Sequence, residues 1–271
     1  MPELPEVETT RRGITAHLVG HQIEAVIVRE KRLRWPIPDI LIDILPGQQV
    51  SHIHRRGKYL LLECDQGHVL IHLGMSGSLR VLPSDTPFFK HDHLDIVFTN
   101  GQCLRYRDPR RFGCVLWTTE PVPSHPLLIH LGPEPLEAAF TGKHLHQNAI
   151  KRRIAVKNYI MDARTVVGVG NIYANEALFL AQIHPATAVG KISLVRYQRL
   201  ATSIKQVLTA AIEMGGTTLR DFSDSAGNPG YFKQSLQVYG RADEACVRCG
   251  NMIVRQKIGL RATYYCPACQ H

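Results

Sequence analysis

Four cysteines near the C-terminus carry the most constrained chemistry: Cys246-Val-Arg-Cys249 and Cys266-Pro-Ala-Cys269, with 266 − 249 − 1 = 16 residues between the pairs. Each CxxC makes a tight turn presenting two thiolates, and a spacing of roughly 15 to 20 residues is that of a zinc site. Four soft thiolates in a tetrahedron select zinc. With sulfur at every position no site is left for a metal-bound water, so the expected cofactor is one structural Zn2+. A redox role needs one CxxC pair in a thioredoxin-like context, which is missing. Cys64, Cys103 and Cys114 lie on strand-like segments and read as small buried hydrophobes, and the odd total of seven cysteines argues against a disulfide scaffold.

The opposite end, MPELPEVETT, raises a question. Pro5 at the first helical position loses no hydrogen bond, and Glu6 and Glu8 suit the positive end of a helix dipole. A helix start accounts for these residues and leaves Pro2 and Glu3 unexplained. Cationic residues gather around Arg29 to Arg34, in YRDPRRFG (Arg105 to Gly113), in KRRIAVK (Lys151 to Lys157) and in the last thirty residues. Trp35, Tyr106, Phe112 and Tyr159 are interleaved with them and can stack or wedge. In Lys90-His91-Asp92-His93 the two histidines face one side of a strand without further ligands, so hydrogen bonding or phosphate contact fits His91 better than metal binding. His72, between Ile71 and Leu73, reads as a satisfied core histidine.

Two kinds of element must position these groups. From about residue 22 to 118, β-branched and aromatic runs are broken by Asp65-Gln66-Gly67 and Asn100-Gly101, and Asn-Gly predicts a type I′ hairpin with both residues at positive φ. The expected result is an antiparallel sandwich. Thr119 to Glu137 is dense in proline and marks a linker. Beyond it the period turns helical: Ser193 caps a helix whose face is Tyr197, Leu200, Ile204, Leu208 and Ala211, stopped by Gly215-Gly216. A glycine-rich turn feeds another helix near Asn171. Gly168 and Gly170 lack the third glycine of a dinucleotide fingerprint, so free amides facing a phosphate suit this turn better.

At 271 residues and 44% hydrophobic the chain suggests two domains. Lys plus Arg exceed Asp plus Glu by 32 to 23, a formal charge of +9, which favours polyanionic partners through attraction and counterion release. Apolar runs such as Tyr59 to Leu62 fall far short of the roughly 20 residues of a membrane span. No signal-like stretch opens the sequence, so no membrane association and a cytoplasmic location are expected.

PELPEVE at the start, HLGMSG (His72 to Gly77), DPRRFG (Asp108 to Gly113), GVGNIYANE (Gly168 to Glu176), QVYGR (Gln237 to Arg241) and the terminal CxxC pairs occur together. This combination resembles bacterial formamidopyrimidine-DNA glycosylase over essentially the whole chain. The resemblance implies a multidomain α+β protein: a catalytic β-sandwich with a leading helix (1–134), a helix-two-turns-helix domain (135–235) and a C-terminal β-hairpin zinc finger (236–271). It implies a bifunctional glycosylase and AP lyase acting, as a monomer, on oxidised purines in damaged double-stranded DNA. Removal of Met1 would expose the Pro2 secondary amine to attack C1′ and form an iminium that cannot lose a proton to become a neutral imine. Glu3 matches the general acid/base, with Glu6 orienting the terminus. Lys58 and Arg261 match residues that grip phosphates and assist β- and δ-elimination. Met75, Arg110 and Phe112 match side chains that fill the gap left by an extruded base, with Arg110 on the orphaned cytosine and Phe112 as wedge. Arg152, Lys157 and Asn171 suit phosphate binding, and DFSDSAGNPGYF (Asp221 to Phe232) resembles a loop that closes over the flipped base. The basic run Lys151-Arg152-Arg153 departs from the lysines usual in relatives, an exchange that keeps the charge but changes the geometry of a phosphate contact. Without the resemblance, Met75 reads as core, and Lys58 and Arg261 as solvated charges. Two alternatives stand beside this reading: the related oxidised-pyrimidine glycosylases, which typically begin Pro-Glu-Gly-Pro-Glu where this chain has Leu4, and a zinc-finger DNA-binding protein without catalysis.

Overall fold

Alternating apolar residues between Ile23 and Thr118 build the first of two units in the computed structural model, which describes residues 1–216 and 232–271. Helix α1 (Leu4–Leu18) precedes β1 (Ile23–Val28), the short α2 (Ile40–Ile44), β2 (Val50–Arg56), β3 (Tyr59–Cys64), β4 (Gly67–His72), β5 (Ser78–Pro83), β6 (Asp92–Phe98), β7 (Gln102–Arg107) and β8 (Cys114–Thr118). The strands form two four-stranded sheets, in the orders β1-β6-β7-β5 and β2-β3-β4-β8. Every pairing in them is antiparallel. Alternation decides which side chains meet between the sheets. Leu60 and Leu62 of β3 and Val69 and Ile71 of β4 join Leu94, Ile96 and Leu104 of the other sheet in one buried cluster.

Helix α1 lies on this sandwich through Leu4, Val7, Ile14 and Leu18, packing against β2, β3 and β5. It begins one residue before the expected start, with Glu3 as N-cap and Pro5 at the second helical position. Position two still lies among the first four amides that have no helical partner, so the proline costs nothing there.

The β6–β7 connection corrects the hairpin expectation. Gly101 has φ 79°, but Asn100 stays at negative φ, and the loop holds three residues, Thr99 to Gly101. Gly101 N donates to Phe98 O at 3.1 Å. A three-residue loop needs only its last residue in the left-handed region, so the glycine is used and the asparagine is not. Cys64, Cys103 and Cys114 are buried with free thiols, and burial pushes the Cys64 and Cys114 thiols up to about 12.

The second unit comprises 130–213 and 232–271. Its helices are α3 (Gly142–Ala149), α4 (Val156–Met161), α5 (Asn171–Leu180) and α6 (Leu194–Glu213), and β9 (Val254–Ile258) pairs antiparallel with β10 (Arg261–Tyr265). Helix α6 buries Tyr197, Leu200, Ile204, Leu208 and Ala211 as its period predicts, and α3 and α5 pack against it. Ser193 O accepts from Tyr197 N at 3.0 Å, and Gly215 and Gly216 follow the last turn at φ 74° and 83°. Among the described residues no helix is long and apolar enough to cross a membrane.

Candidate active site and zinc centre

The four thiols of the second unit converge. Their Sγ atoms all lie within 4.8 Å of one another, with Cys246 to Cys269 at 3.9 Å and Cys249 to Cys266 at 3.5 Å. A tetrahedron with Zn–S of about 2.3 Å requires S···S separations of about 3.8 Å, so the residues present fit a tetrathiolate zinc ion. Bound there, the ion would cross-link the two CxxC turns and supply folding energy with no open coordination site. Beneath the cluster, Cys246, Ile253, Cys266 and Val238 pack on Phe179 of α5.

Helix α5 holds the hairpin and the segment leading into it by buried polar side chains. Glu176, 4% exposed, accepts from the backbone amides of Gln237, Val238 and Tyr239 at 2.9, 3.0 and 2.8 Å. Burial raises its carboxyl pKa, and these three N–H groups oppose the rise. Asn175, fully buried, accepts from Tyr264 N at 2.7 Å. These contacts give GVGNIYANE and QVYGR a physical reason that their spacing did not reveal: one supplies the acceptor, the other the row of amides.

Lys157 and Asn171 meet the same hairpin. Lys157 is 0% exposed, and its Nζ donates to Ala262 O at 2.9 Å and Thr263 Oγ1 at 2.7 Å. Asn171 Nδ2 donates to the same Ala262 carbonyl at 3.1 Å, while its buried Oδ1 has no hydrogen-bond partner among the described residues. Both bind Ala262, the residue after Arg261; Arg261 is the exposed first residue of β10 and follows the two-residue tip Gly259-Leu260 with Gly259 at φ 60°. Arg152 is exposed, its guanidinium 5.2 Å from the Tyr159 ring centroid.

In the sandwich unit, Pro2 and Glu3 are both buried at the head of α1. Glu3 N donates to Glu6 Oε2 at 2.9 Å, and the Glu3 side chain reciprocates at the Glu6 amide in a capping box. One turn on, Glu8 joins α1 to β2. It accepts from Arg11 at 2.7 and 3.0 Å, from Arg12 at 3.0 Å and from Arg55 of β2 at 3.1 Å. Burial alone would raise its carboxyl, but these guanidinium groups bring it down to about 2. Arg55 stands just before the hairpin tip Gly57-Lys58, where Gly57 takes φ 58° so that Arg56 and Tyr59 can pair. Lys58 is half-buried there. His72, beside it on β4, is half-buried and held near 4 by desolvation, with the Lys58 and Arg34 charges adding to the effect. Its Nδ1 accepts from Gly74 N at 3.0 Å, so it is a satisfied histidine.

The turn bearing Met75 and the loop bearing Arg110 and Phe112 are brought together by Asp108, which is 0% exposed. Its carboxylate accepts from Ser76 Oγ at 2.7 Å, Gly113 N at 2.9 Å and Arg110 N at 3.2 Å. A Cβ on Gly74, at φ 61°, would collide with the Phe112 carbonyl carbon, so the close approach requires glycine. Met75 is half-buried, Phe112 is 46% exposed, and the Arg110 guanidinium sits 4.9 Å from its ring centroid. His91 lies on a turn before β6 at φ 78°, not on the strand as its alternation with His93 suggested. It lines a cavity of about 440 Å³ with Arg29, Phe88, Phe89, Lys90 and Arg111. Desolvation and the Lys90 and Arg107 charges lower its pKa. His93 is buried and bonds Asp108 O through Nε2 at 2.7 Å. Of the DFSDSAGNPGYF segment, residues 221–231 lie outside the described residues.

A β-sandwich opening on a buried Pro-Glu pair, a helical unit and a four-thiolate hairpin define the class of zinc-finger DNA glycosylases. Three family models match in that order: "Formamidopyrimidine-DNA glycosylase N-terminal domain" over residues 1–115, "Formamidopyrimidine-DNA glycosylase H2TH domain" over 131–223, and "Zinc finger found in FPG and IleRS" over 243–271. The chain belongs to the formamidopyrimidine-DNA glycosylase family. It is 61% identical over 270 residues to the formamidopyrimidine-DNA glycosylase of Methylococcus capsulatus and 60% identical over 271 residues to that of Nitrosococcus oceani, with 100% of each chain covered. Among solved structures, a Lactococcus lactis FPG mutant complexed with Fapy-dG-containing DNA matches with a TM-score of 0.93 at 36% identity, covering 100% of both chains. MutM in complex with carbocyclic 8-oxo-G-containing DNA matches with a TM-score of 0.91 at 35% identity, again over 100% of both chains.

Proposed function

We propose that this chain excises oxidised purines, 8-oxoguanine and formamidopyrimidines, from duplex DNA and then cleaves the strand, leaving a one-nucleotide gap. The observation that carries the reading is the buried Pro2-Glu3 pair, fixed at the head of α1 by the Glu6 carboxylate. With Met1 removed, the Pro2 secondary amine sits at the positive end of a helix, which disfavours the ammonium form and leaves nucleophilic neutral amine near pH 7. Its attack on C1′ breaks the bond to the base, and the sugar C1′–O4′ bond then opens to give the iminium, with Glu3 moving protons to the ring oxygen or the leaving base. The iminium that results acidifies the C2′ proton, so elimination of the 3′ and then the 5′ phosphate follows, Lys58 and Arg261 gripping phosphates.

Met75, Arg110 and Phe112 fill the space the extruded base vacates. The exposure of Phe112 supports a wedge, since a large apolar ring held out in water by a tethered loop lacks a core role. His91, Arg152 and Asn171 complete the DNA contacts, Arg152 by an exposed guanidinium and Asn171 through a side-chain oxygen with no partner among the described residues, while the buried Lys157 braces the finger hairpin from within the protein. The zinc hairpin holds Arg261. The proposed division is 1–134, 135–235 and 236–271, in a monomer acting in the cytoplasm.

Borohydride trapping on a duplex holding 8-oxoguanine opposite cytosine tests the reading. A covalent adduct is expected from protein lacking Met1, and Pro2→Gly should bind the DNA with strongly reduced excision. Binding without any adduct would instead support a zinc-finger DNA-binding protein without catalysis.

A further inference from the structure

Three side chains that this reaction leaves unused meet on the solvent side of β2 and β3. His52 and His54 alternate along β2, and the antiparallel register sets His52 opposite Glu63. The two imidazoles stack with centroids 5.6 Å apart and planes 17° from parallel. His54 Nε2 lies 2.8 Å from Glu63 Oε2, and His52 Nδ1 lies 3.8 Å from the same oxygen. One ligand atom from each residue falls within 4.8 Å of the other two, and the side chains are 68%, 53% and 37% exposed in the order His52, His54, Glu63.

We propose that His52, His54 and Glu63 form a second divalent-metal site, separate from the cysteine cluster and selective for borderline-soft first-row ions such as Zn2+, Co2+ and Ni2+. Ligand bonds of about 2.0 to 2.2 Å around a tetrahedral ion place donor atoms about 3.4 Å apart, and the two separations from Glu63 Oε2 bracket that value. Small side-chain rotations bring all three atoms onto one ion. Two imidazoles and a carboxylate suit zinc, cobalt and nickel, whereas magnesium and calcium want an all-oxygen shell. Rigid neighbouring strands fix the ligand spacing before the ion arrives, so little order has to be created on binding. Three protein ligands leave at least one position for water or a phosphate oxygen. The ion would clip β2 to β3 a few residues from the Gly57-Lys58 tip that joins them.

The test uses full-length protein with zinc already in the finger, dialysed free of loose metal and titrated with Co2+. One further equivalent should bind, with paramagnetic broadening of the His52 and His54 ring resonances, and a hundredfold excess of Mg2+ should not displace it. His54→Ala and Glu63→Gln each should lose that equivalent while keeping one zinc per chain and an unchanged melting transition. No second equivalent in the unsubstituted protein, broadening confined to the finger, or a second equivalent that survives in both variants would each overturn the site.

Discussion

The Ser76 hydroxyl donates to Asp108 Oδ1 at 2.7 Å, and this bond ties the turn that carries Met75 to the loop that carries Arg110 and Phe112. Hydrogen bonds to a charged acceptor contribute about 1.5 to 3 kcal/mol each, and Asp108 receives them from both sides while fully buried. The three side chains proposed to fill the gap, Met75, Arg110 and Phe112, thus share one anchor that touches no DNA in the proposed mechanism.

Asp108→Asn keeps the shape but replaces one carboxylate oxygen with an NH2 donor, which then faces either the Ser76 hydroxyl and Arg110 amide or the Gly113 amide, each of which is itself a donor. Excision of 8-oxoguanine should fall about 10- to 100-fold, the rate equivalent of about 1.4 to 3 kcal/mol. The preference for cytosine over adenine opposite the lesion should narrow, because Arg110 loses its fixed position. Cleavage at a preformed abasic site, where no base has to be expelled, should fall less. Single-turnover rates on the three duplexes measure this, and a uniform loss on all three would mean that Asp108 serves the fold alone.

Glu6 should matter to chemistry it does not perform. Its carboxylate is the acceptor for Glu3 N, so Glu6→Ala opens the capping box at a cost of about 0.5 to 2 kcal/mol in stability. Because the freed amide belongs to the residue beside Pro2, borohydride trapping should slow by about tenfold while DNA affinity stays within about twofold. Trapping at the unsubstituted rate would show that the terminus is held by other contacts.

Lys157 tests the phosphate-binding role that the resemblance implies for it. A lysine on a phosphate adds about one counterion to the salt dependence of binding, so removing it lowers the slope of log K against log salt by about 0.9. The buried ammonium here is bonded to Ala262 O and Thr263 Oγ1 of the finger hairpin. Lys157→Met should therefore weaken DNA binding with little change in salt slope and should make the hairpin easier for a protease to cut. A slope reduced by a full counterion would restore the phosphate contact.

Much of this architecture was legible because it rests on short-range rules. CxxC spacing fixed the thiolate cluster, alternation fixed the faces of β3 and β4, and the period of Tyr197, Leu200, Ile204 and Leu208 fixed the buried side of α6. What stayed hidden depends on groups far apart in the chain. Nothing local marks Lys157 for burial against residues 262 and 263, or Asp108 for a bond to Ser76. Asn100-Gly101 misled for a related reason: the dipeptide permits a two-residue turn, but the strand register chose a three-residue loop. The His52–Glu63 pairing likewise needs the register of β2 on β3 before it can be seen.

Acid should loosen the link between the two segments that carry Pro2 and Lys58. The Glu8 carboxyl is held at about 2 in the folded chain against an ordinary value of 4.5, so the folded state favours its ionised form. Its contribution is complete above about pH 4.5 and is lost as pH falls toward 2, because protonation removes the acceptor that Arg11, Arg12 and Arg55 share. A shift of this size corresponds to about 3 kcal/mol, which solvent screening at the edge of the helix reduces to about 1 to 2 kcal/mol. Glu8→Gln should be less stable than the unsubstituted protein by that amount at pH 7, with the gap closing between pH 4.5 and 2. Denaturant unfolding of both proteins across this range measures it. A gap independent of pH would assign the loss to packing of the α1 head, not to the charge that joins it to β2.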